Sequence, residues 1–324
     1  DYYGMANLLS RVKLKNGKGG GTEVIPNSFG DILHPSKARA LPPKPLDGEA
    51  IPLEANGDRR EHLAKWLTSK ENPYFTRAIV NRVWRNFMGR GLVEPEDDLR
   101  LTNPSTNEPL MVALVKEMTD HNFDLKHLMR TILNSAAYQR SSAPSDSAQP
   151  DSKYYSQYIM RRLQAEVILD AYSQATDVPT SFAGYPKGAR ALELRDSEVA
   201  SYFLNAFGRP ERKQTCACER TEDANIAQTL HIANGDTLND KLRNDDSVVM
   251  ALLADEMSDG KAVEQLFLRS LSRYPTETEK AKALAVLAEA GSGAEGEGKE
   301  QLRREVLEDL AWAVMSSKEF LFNH

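Results

Sequence analysis

The residues with most scope for chemistry are Cys216 and Cys218, the only two cysteines of the chain, and His231, thirteen residues after the second of them. Two thiolates and one imidazole are suitable ligands for zinc or copper. Glu219, Asp223 or a water molecule could complete a four-coordinate site. The sequence therefore offers one candidate for a bound transition metal.

The same cysteines allow two other interpretations. An exposed Cys-x-Cys pair could form a strained disulfide that exchanges with a thiol of a partner. Both cysteines could instead be small buried residues that precede a helix, which is the interpretation that we favour. Haem is not attached here, because Cys216 and Cys218 are separated by one residue without an adjacent histidine, whereas haem c needs Cys-x-x-Cys-His. Metal binding, disulfide exchange and a structural role thus remain the alternatives for the two cysteines.

Charged residues of both signs flank the cysteines. Arg209, Glu211 and Arg212 precede them, and Glu219 and Arg220 follow. The arginines could clamp a carboxylate or sulfate group of a ligand through paired hydrogen bonds. They could instead form an ion-pair lattice with the glutamates, which would fix the shape of the loop. We favour the lattice.

His231 lies within a helix predicted over residues 223–233. Gln228 stands three residues before it and Asn234 three residues after it, so the three side chains fall along one polar stripe. Such a stripe could line a cleft near residues 207–234. A single helical histidine is more often a satisfied core or boundary residue, and both interpretations stay open.

A secondary carboxylate cluster, Glu96, Asp97 and Asp98, lies in "EPEDDLRLTNPS". Paired carboxylates could serve acid–base glycoside chemistry or bind calcium. The chain has no Asp-x-Asp-x-Asp-Gly loop, and the simpler alternative is that Asp98 and Asn103 bond backbone N–H groups around the Asn-Pro turn.

Common catalytic motifs are absent from the sequence. It contains no Gly-x-Ser-x-Gly, no His-Glu-x-x-His and no dinucleotide fingerprint. His62, His121 and His127 fall on predicted helix surfaces or ends, and we assign them no role.

Composition narrows the class of protein. The 324 residues are 40% hydrophobic and 27% charged, with a net charge of −6, which suits a globular protein of one large or two ordinary domains. No basic tract would attract nucleic acid. No run approaches the roughly 18 apolar residues that a membrane span needs.

Periodicity predicts a mainly α fold, a compact multi-helix body with an irregular N-terminal strap and long loops. Residues 1–57 are Gly- and Pro-rich and would form the strap. Residues 58–140 and 159–324 would form two helical subdomains, joined by a linker or exposed loop over 141–158. Helices are predicted to begin at the N-caps Asp58, Ser105, Asp124 and Thr276, the last of them in a capping box with Glu279.

Three of the predicted helices have an apolar face. The segment "RAIVNRVWRNFMG" places such a face at Ile79, Val80, Val83, Trp84, Phe87 and Met88, and Gly89 and Gly91 would stop that helix. A second core face would consist of Leu163, Val167, Ile168, Tyr172 and Ala175. The last helix, 299–317, would bury Leu302, Val306, Leu310, Ala313 and Val314.

Five long segments carry a resemblance to a known family. They are "NPYFTRAIVNRVWRNFMGRGLVEPEDDLRLTNPSTNEPL", "DLKHLMRTILNSAAYQRSSAP", "RRLQAEVILDAYSQATDVP", "SYFLNAFGRPERKQTCACERTEDANIAQTLHIANGDTLNDKL" and "LFLRSLSRYPTETE". Together they resemble a planctomycete- and verrucomicrobia-associated domain of unknown function, the C-terminal domain of cytochrome-c-linked envelope proteins. The resemblance covers roughly residues 60–324. The opening "DYYGMANLLSRV" resembles the tail of a preceding domain, so we expect a part of a longer polypeptide.

The resemblance implies a location and a set of partners. It implies a bacterial protein of the periplasm or cell envelope, joined to a preceding domain and to a c-type cytochrome domain further upstream. It also implies a link to polysaccharide breakdown, with a glycan as a ligand. We therefore expect an accessory or binding domain. The alternatives are a carbohydrate-active redox or hydrolytic enzyme with a Cys/His metal or disulfide site, and a structural scaffold. No catalytic residue comes with the resemblance.

Overall fold

The protein is mainly α-helical, as the periodicity predicted. The computed structural model describes residues 1–17, 20–143, 153–195, 197–213, 220, 225–254, 257–292 and 296–323. Within them the strands are short and form three two-stranded antiparallel sheets. The chain divides into two compact units, Asp1–Ile159 and Met160–His324, which we call unit 1 and unit 2. No helix in the described ranges has both the length and the apolar character that crossing a membrane requires.

Unit 1 consists of five helices and two small hairpins among its described residues. The elements are α1 (Tyr2–Leu9), β1 (Val12–Asn16), β2 (Thr22–Pro26), β3 (Leu33–His34), β4 (Arg39–Ala40), α2 (Arg59–Leu67), α3 (Phe75–Met88), α4 (Glu108–Asp120) and α5 (Leu125–Leu133). In the first hairpin Val12 lies opposite Pro26, and in the second Leu33 lies opposite Ala40. Residues 1–57 thus hold one helix and two hairpins between their irregular stretches.

A buried arginine fastens the N-terminal residues to α2. Nη1 of Arg59 donates to the carbonyl of Asn7 at 3.0 Å and to Oδ1 of Asp31 at 2.7 Å, and Nη2 donates to the carbonyl of Leu53 at 2.9 Å. Asp31 also accepts two bonds from Arg11, at 2.9 Å each. Hydrogen bonding to Arg11, followed by Arg59, lowers the pKa of Asp31. Buried charges are tolerated when they are paired in this way.

The core of unit 1 lies between α3, α4 and α5. Val80, Trp84 and Met88 of α3 are buried, as the predicted apolar stripe required. They pack in one cluster with the buried residues of the other two helices, Met111, Leu114, Met118, Leu128 and Ile132. The predicted stop of α3 is confirmed, because Gly89 adopts φ 76° at its end.

Two helix starts in unit 1 test the cap predictions. Asp124 is confirmed as the N-cap of α5, since its carboxylate accepts from the N–H groups of Lys126 and His127. The prediction of Ser105 as the cap of α4 is wrong. Asn107 takes that role and accepts from the N–H of Leu110. Asparagine caps as well as serine does, so the sequence did not distinguish the two positions.

Unit 2 is built from helices around one larger core. Its elements are β5 (Arg161–Arg162), α6 (Ala165–Thr176), a 3₁₀ turn (Ala191–Glu193), α7 (Tyr202–Ala206), α8 (Ile226–Asn234), α9 (Asp236–Leu242), α10 (Val248–Ala254), α11 (Asp259–Leu271), α12 (Glu277–Ser292), α13 (Glu297–Met315), α14 (Lys318–Leu321) and β6 (Phe322–Asn323). In the small sheet Arg161 lies opposite Asn323. The short helix α9 was not predicted, because the Gly235 that precedes it offers no capping side chain.

The core of unit 2 joins α6, α11 and α13. Ile168 and Tyr172 of α6 are buried as predicted, in one cluster with Leu266 of α11. The predicted buried face of α13 is partly wrong. Leu307, Ala311, Val314 and Met315 are buried, whereas Leu302, Val306 and Leu310 are half-buried and Ala313 is exposed. The apolar residues of α13 surround more than half of the helix, so the sequence did not fix which of them face inward.

Candidate functional site

A small cavity of about 160 Å³ lies beside the first turn of α6. Its charged lining residues are Glu166, Arg209, Arg212 and Arg220. Glu166 stands in the first turn of α6, and Arg209 and Arg212 follow the short helix α7. The three arginines, for which we considered a clamp and favoured an ion-pair lattice, thus line one cavity, which we call the arginine cavity.

Glu166 and Arg220 form an ion pair through two hydrogen bonds. Nη1 and Nη2 of Arg220 donate to the two carboxylate oxygens at 2.9 and 3.0 Å. Burial alone would raise the pKa of Glu166, but the bonds from Arg220 and the nearby charge of Arg209 outweigh it, so this pKa is lowered. The carboxylate compensates one of the three positive charges of the lining. A net charge of +2 remains on these four residues (three arginines less one glutamate).

Hydrogen bonds hold the side chain of Arg209 in place, and one of its nitrogens has no partner among the described residues. Gly208, at φ 90°, makes the turn after α7, and the N–H of Arg209 returns to the carbonyl of Leu204 at 2.9 Å. Nη2 donates to the carbonyl of Val199 at 2.7 Å and to Oδ1 of Asn205 at 2.8 Å. Nη1 is buried, and no group in the part of the chain that the structure describes accepts a hydrogen bond from it. A buried donor without a partner costs about 1–3 kcal/mol, so it calls for an explanation.

Arg212 and Glu211 differ in their relation to the cavity. Arg212 is exposed, adopts φ 56° and donates from Nη1 to the carbonyl of Arg195 at 3.2 Å. Glu211 is exposed, and its carboxylate pairs with Lys213, outside the lining. Its carbonyl accepts from Oγ of Ser197 at 2.7 Å. Glu211 therefore fixes the loop rather than the cavity wall.

Glu166 is the residue of this site that the sequence analysis missed. It lies 54 residues before its partner Arg220, so no local pattern joins them. The one local indication of Glu166 was its position in the first turn of an amphipathic helix. Such a residue favours the positive end of the helix dipole.

Gln228 faces the interior of unit 2. It is buried, its Nε2 donates to the carbonyl of Ala206 at 3.0 Å, and its Oε1 accepts from Arg162. With Asn225 it also forms a capping box at the start of α8. These bonds give Gln228 a structural role.

His231 and Asn234 point to two further environments. Nε2 of His231 lies 2.8 Å from Oγ1 of Thr237, and its ring packs near Phe203 and Phe207. Burial lowers the pKa of His231. Asn234 is exposed and lines a separate cavity of about 320 Å³. The structure therefore does not bring Gln228, His231 and Asn234 to one shared cleft.

The cysteine segment is the remaining part of the predicted site. Cys216, Cys218 and Glu219, and the further candidate ligand Asp223, lie outside the described residues. The metal, disulfide and structural interpretations of this segment stay predictions.

The secondary carboxylate cluster is paired with arginines. Asp97 pairs with Arg82, Asp98 with Arg100, and Glu96 with Arg85, at closest distances of 2.7, 2.6 and 3.6 Å.

Asn103 donates from Nδ2 to the carbonyls of Glu94 and Asp98, at 3.1 and 2.9 Å. The bonds of Asn103 thus reach carbonyls, not the N–H groups that we expected. The arrangement holds a loop in shape.

A second cluster was overlooked in the sequence. Glu117, His121 and His127 each offer one ligand atom, and these atoms lie within 4.8 Å of one another. Glu117 and His121 are four residues apart at the end of α4, and this spacing predicts that both side chains lie on the same face of the helix. His127 joins them through the turn between α4 and α5, which the pattern of residues alone does not define.

Comparisons with known proteins identify a family but no function. A family model described as PSD1, protein of unknown function (DUF1553), matches residues 59–287. The match includes Glu166 and the three arginines of the cavity. No curated protein and no solved structure matches the chain.

Proposed function

We propose a function for this chain, which belongs to the PSD1 family of proteins of unknown function (DUF1553): it is a binding domain whose arginine cavity takes a carboxylate or sulfate group of its ligand. The observation that carries this proposal is the buried Nη1 of Arg209, for which the described residues provide no hydrogen-bond acceptor. An anion in the cavity would accept from this donor and offset the excess positive charge.

The size of the cavity limits what enters it. Ligand pockets that enclose a whole small molecule usually measure about 300–1,000 Å³. At about 160 Å³, the arginine cavity has room for one charged group and not for a sugar ring with its substituents. The remainder of the ligand would lie on the surface beside Arg212, which is exposed.

The ligand class that we propose is an acidic glycan. Uronic acids and sulfated sugars present the carboxylate and sulfate groups that arginine recognises. The resemblance to envelope proteins linked to polysaccharide breakdown supports this choice. On the same support alone we propose a periplasmic or cell-envelope location, with a preceding domain and a c-type cytochrome domain in the same polypeptide.

Titration calorimetry of the full chain tests the proposal. The ligands are a uronic-acid oligosaccharide, a sulfated oligosaccharide and a neutral oligosaccharide of equal length. We expect binding of at least one acidic ligand and none of the neutral one. Arg212→Gln and Arg209→Lys should each weaken binding about 10-fold or more, since hydrogen bonds to charged groups contribute about 1.5–3 kcal/mol.

Arg269→Gln is the matched control. Arg269 lies on α11 of the same unit and pairs with Asp177, away from the cavity lining. This variant removes one positive charge without touching the site. An equal loss of affinity in Arg269→Gln would mean that net charge alone attracts the ligand. That result, or no binding of either acidic ligand, would refute the proposal.

A further inference from the structure

The junction between α4 and α5 brings Glu117, His121 and His127 together. α4 ends at Asp120, and His121 is its C-cap. Asn122 and Phe123 then adopt left-handed conformations, with φ of 52° and 61°, and reverse the chain within two residues. His127 follows in the first turn of α5 and faces back towards the end of α4. The backbone therefore fixes the approach of the three side chains.

The three side chains are in direct contact. Nε2 of His127 lies 2.6 Å from Oε1 of Glu117, and Nδ1 of His121 lies 3.5 Å from the same oxygen. The two imidazole rings stack with centroids 3.6 Å apart and an angle of 16° between their planes. Two ring nitrogens thus converge on one carboxylate oxygen.

The backbone also orients the ring of His121. Nδ1 of His121 also lies 2.9 Å from the carbonyl of Glu117. This bond orients the His121 ring in the metal-free chain, and Nδ1 releases it when it becomes a metal ligand.

The charge around the cluster favours a cation. Glu117 brings a carboxylate group to the cluster. Asp120 and Asp124 stand at the same junction, and Lys116 pairs with Asp120. The cluster is also open to solvent, since the side chains of His121, Glu117 and His127 are 45%, 39% and 29% exposed. An ion and a bound water molecule can both reach it.

We propose that Glu117, His121 and His127 bind one divalent transition-metal ion of the zinc class. Two imidazoles and one carboxylate suit zinc, copper or nickel, whereas calcium and magnesium prefer six or more oxygen ligands. Donor atoms within 4.8 Å of one another can each come to about 2.0–2.2 Å of one point after small side-chain rotations. The ion replaces the hydrogen bond between His127 and Glu117, and solvent occupies the fourth position.

This site shares no residue with the arginine cavity or with the cysteine segment. Its three ligands lie in unit 1, and those other groups lie beyond residue 159. The alternative role for the cluster is an ion pair between Glu117 and His127 that joins α4 to α5. The ion pair needs no metal, so a measurement of metal binding distinguishes these two roles.

Zinc titration of the full chain tests the proposal. The protein is prepared without a histidine tag, treated with a chelator, and titrated with Zn²⁺ in competition with a chromophoric chelator. We expect one equivalent bound at the cluster. His121→Ala and His127→Ala should each reduce the affinity by at least about 10-fold, since even outer partners of metal ligands contribute 10–100-fold.

Two controls make the assignment specific. His62→Ala removes a half-buried histidine of α2 that lies outside the cluster, and it should leave zinc binding unchanged. The Cys216→Ser/Cys218→Ser variant removes both thiols and should keep the equivalent at the cluster. With Co²⁺ as the probe, that variant should retain visible d–d absorption, and this absorption should disappear in His121→Ala/His127→Ala.

Two results would overturn the proposal. One is that the wild-type chain binds Zn²⁺ no more tightly than the double histidine variant. The other is that the serine variant loses the only equivalent. Glu117→Gln removes the carboxylate ligand at a half-exposed position and keeps both histidines. It should also weaken Zn²⁺ binding. Circular dichroism melts of all variants show whether they are folded.

Discussion

Tyr172 carries a buried hydroxyl that has no hydrogen-bond partner within the ranges that the structure describes. Its ring stacks on Phe320, with centroids 5.4 Å apart and planes 9° apart, and it meets Phe203 edge to face at 5.9 Å. Burial raises the pKa of its hydroxyl. The ring therefore supports the core of unit 2, while no described group replaces the bonds to water that the hydroxyl makes in the unfolded chain.

Removal of this hydroxyl should stabilise the protein. We expect Tyr172→Phe to raise the free energy of unfolding by about 1 kcal/mol, because a buried polar group without a partner is removed and the ring is kept. Urea unfolding measures the change as a higher midpoint at an unchanged slope.

Tyr185→Phe is the control for this prediction. Its hydroxyl accepts from the backbone N–H of Arg195 at 3.0 Å in the same unit. Its loss should lower stability by about 0.5–1 kcal/mol. Equal destabilisation by both substitutions would show that the Tyr172 hydroxyl has a partner, such as a buried water molecule.

At the scale of elements, the end of α6 is joined to α9 by a buried lysine. Nζ of Lys241 donates to the carbonyl of Val178 at 2.6 Å and to Oγ of Ser173 at 3.2 Å. A cation suits the C-terminal end of a helix, where free carbonyls concentrate negative charge. Burial nevertheless lowers the pKa of Lys241 to about 8, against a smaller opposite effect of Asp170.

The stability of unit 2 should therefore rise with pH above about 8. The folded chain releases the proton of Lys241 near pH 8, whereas the unfolded chain keeps it up to its ordinary pKa of 10.5. Between these values the unfolded state binds more protons, so the free energy of unfolding increases. The increase should be on the order of 2 kcal/mol after allowance for solvent screening.

Denaturant unfolding across that pH interval measures the effect. In Lys241→Met the increase should disappear, and stability should also fall because the Val178 carbonyl loses its donor. Lys261→Met, an exposed lysine of α11, should keep the slope of the parent. A slope that persists in Lys241→Met would assign the pH dependence to other groups.

At the scale of the whole molecule, each unit has its own hydrophobic core. The cluster that runs from Val80 to Tyr155 lies entirely in unit 1, and the cluster that runs from Ala165 to Leu321 lies entirely in unit 2. A segment that contains a complete core and its own helix contacts meets the physical definition of a domain.

Unit 2 should therefore fold when it is expressed alone. We expect residues 160–324 to give a helical circular dichroism spectrum and one cooperative calorimetric transition, since the segment contains every buried residue of its core. Residues 160–296 should not, because this fragment lacks α13 and with it Leu307, Ala311 and Met315. A cooperative transition in both fragments, or in neither, would contradict this assignment of the core.

The sequence determined the features that depend on neighbours within about four residues. The stripe of α3 with its Gly89 stop, the Asp124 cap of α5 and the Thr276–Glu279 capping box were all predicted and are all confirmed. Each depends on helix periodicity or on a side chain that bonds its own first turn, so the information is local.

Only the tertiary structure decided which distant residues meet. Glu166 pairs with Arg220 across 54 residues, and the inward face of α13 was set by the helices that pack on it. Both outcomes depend on the path of the backbone in space, which periodicity does not encode. His127 reaches Glu117 for the same reason, because two left-handed residues reverse the chain between them.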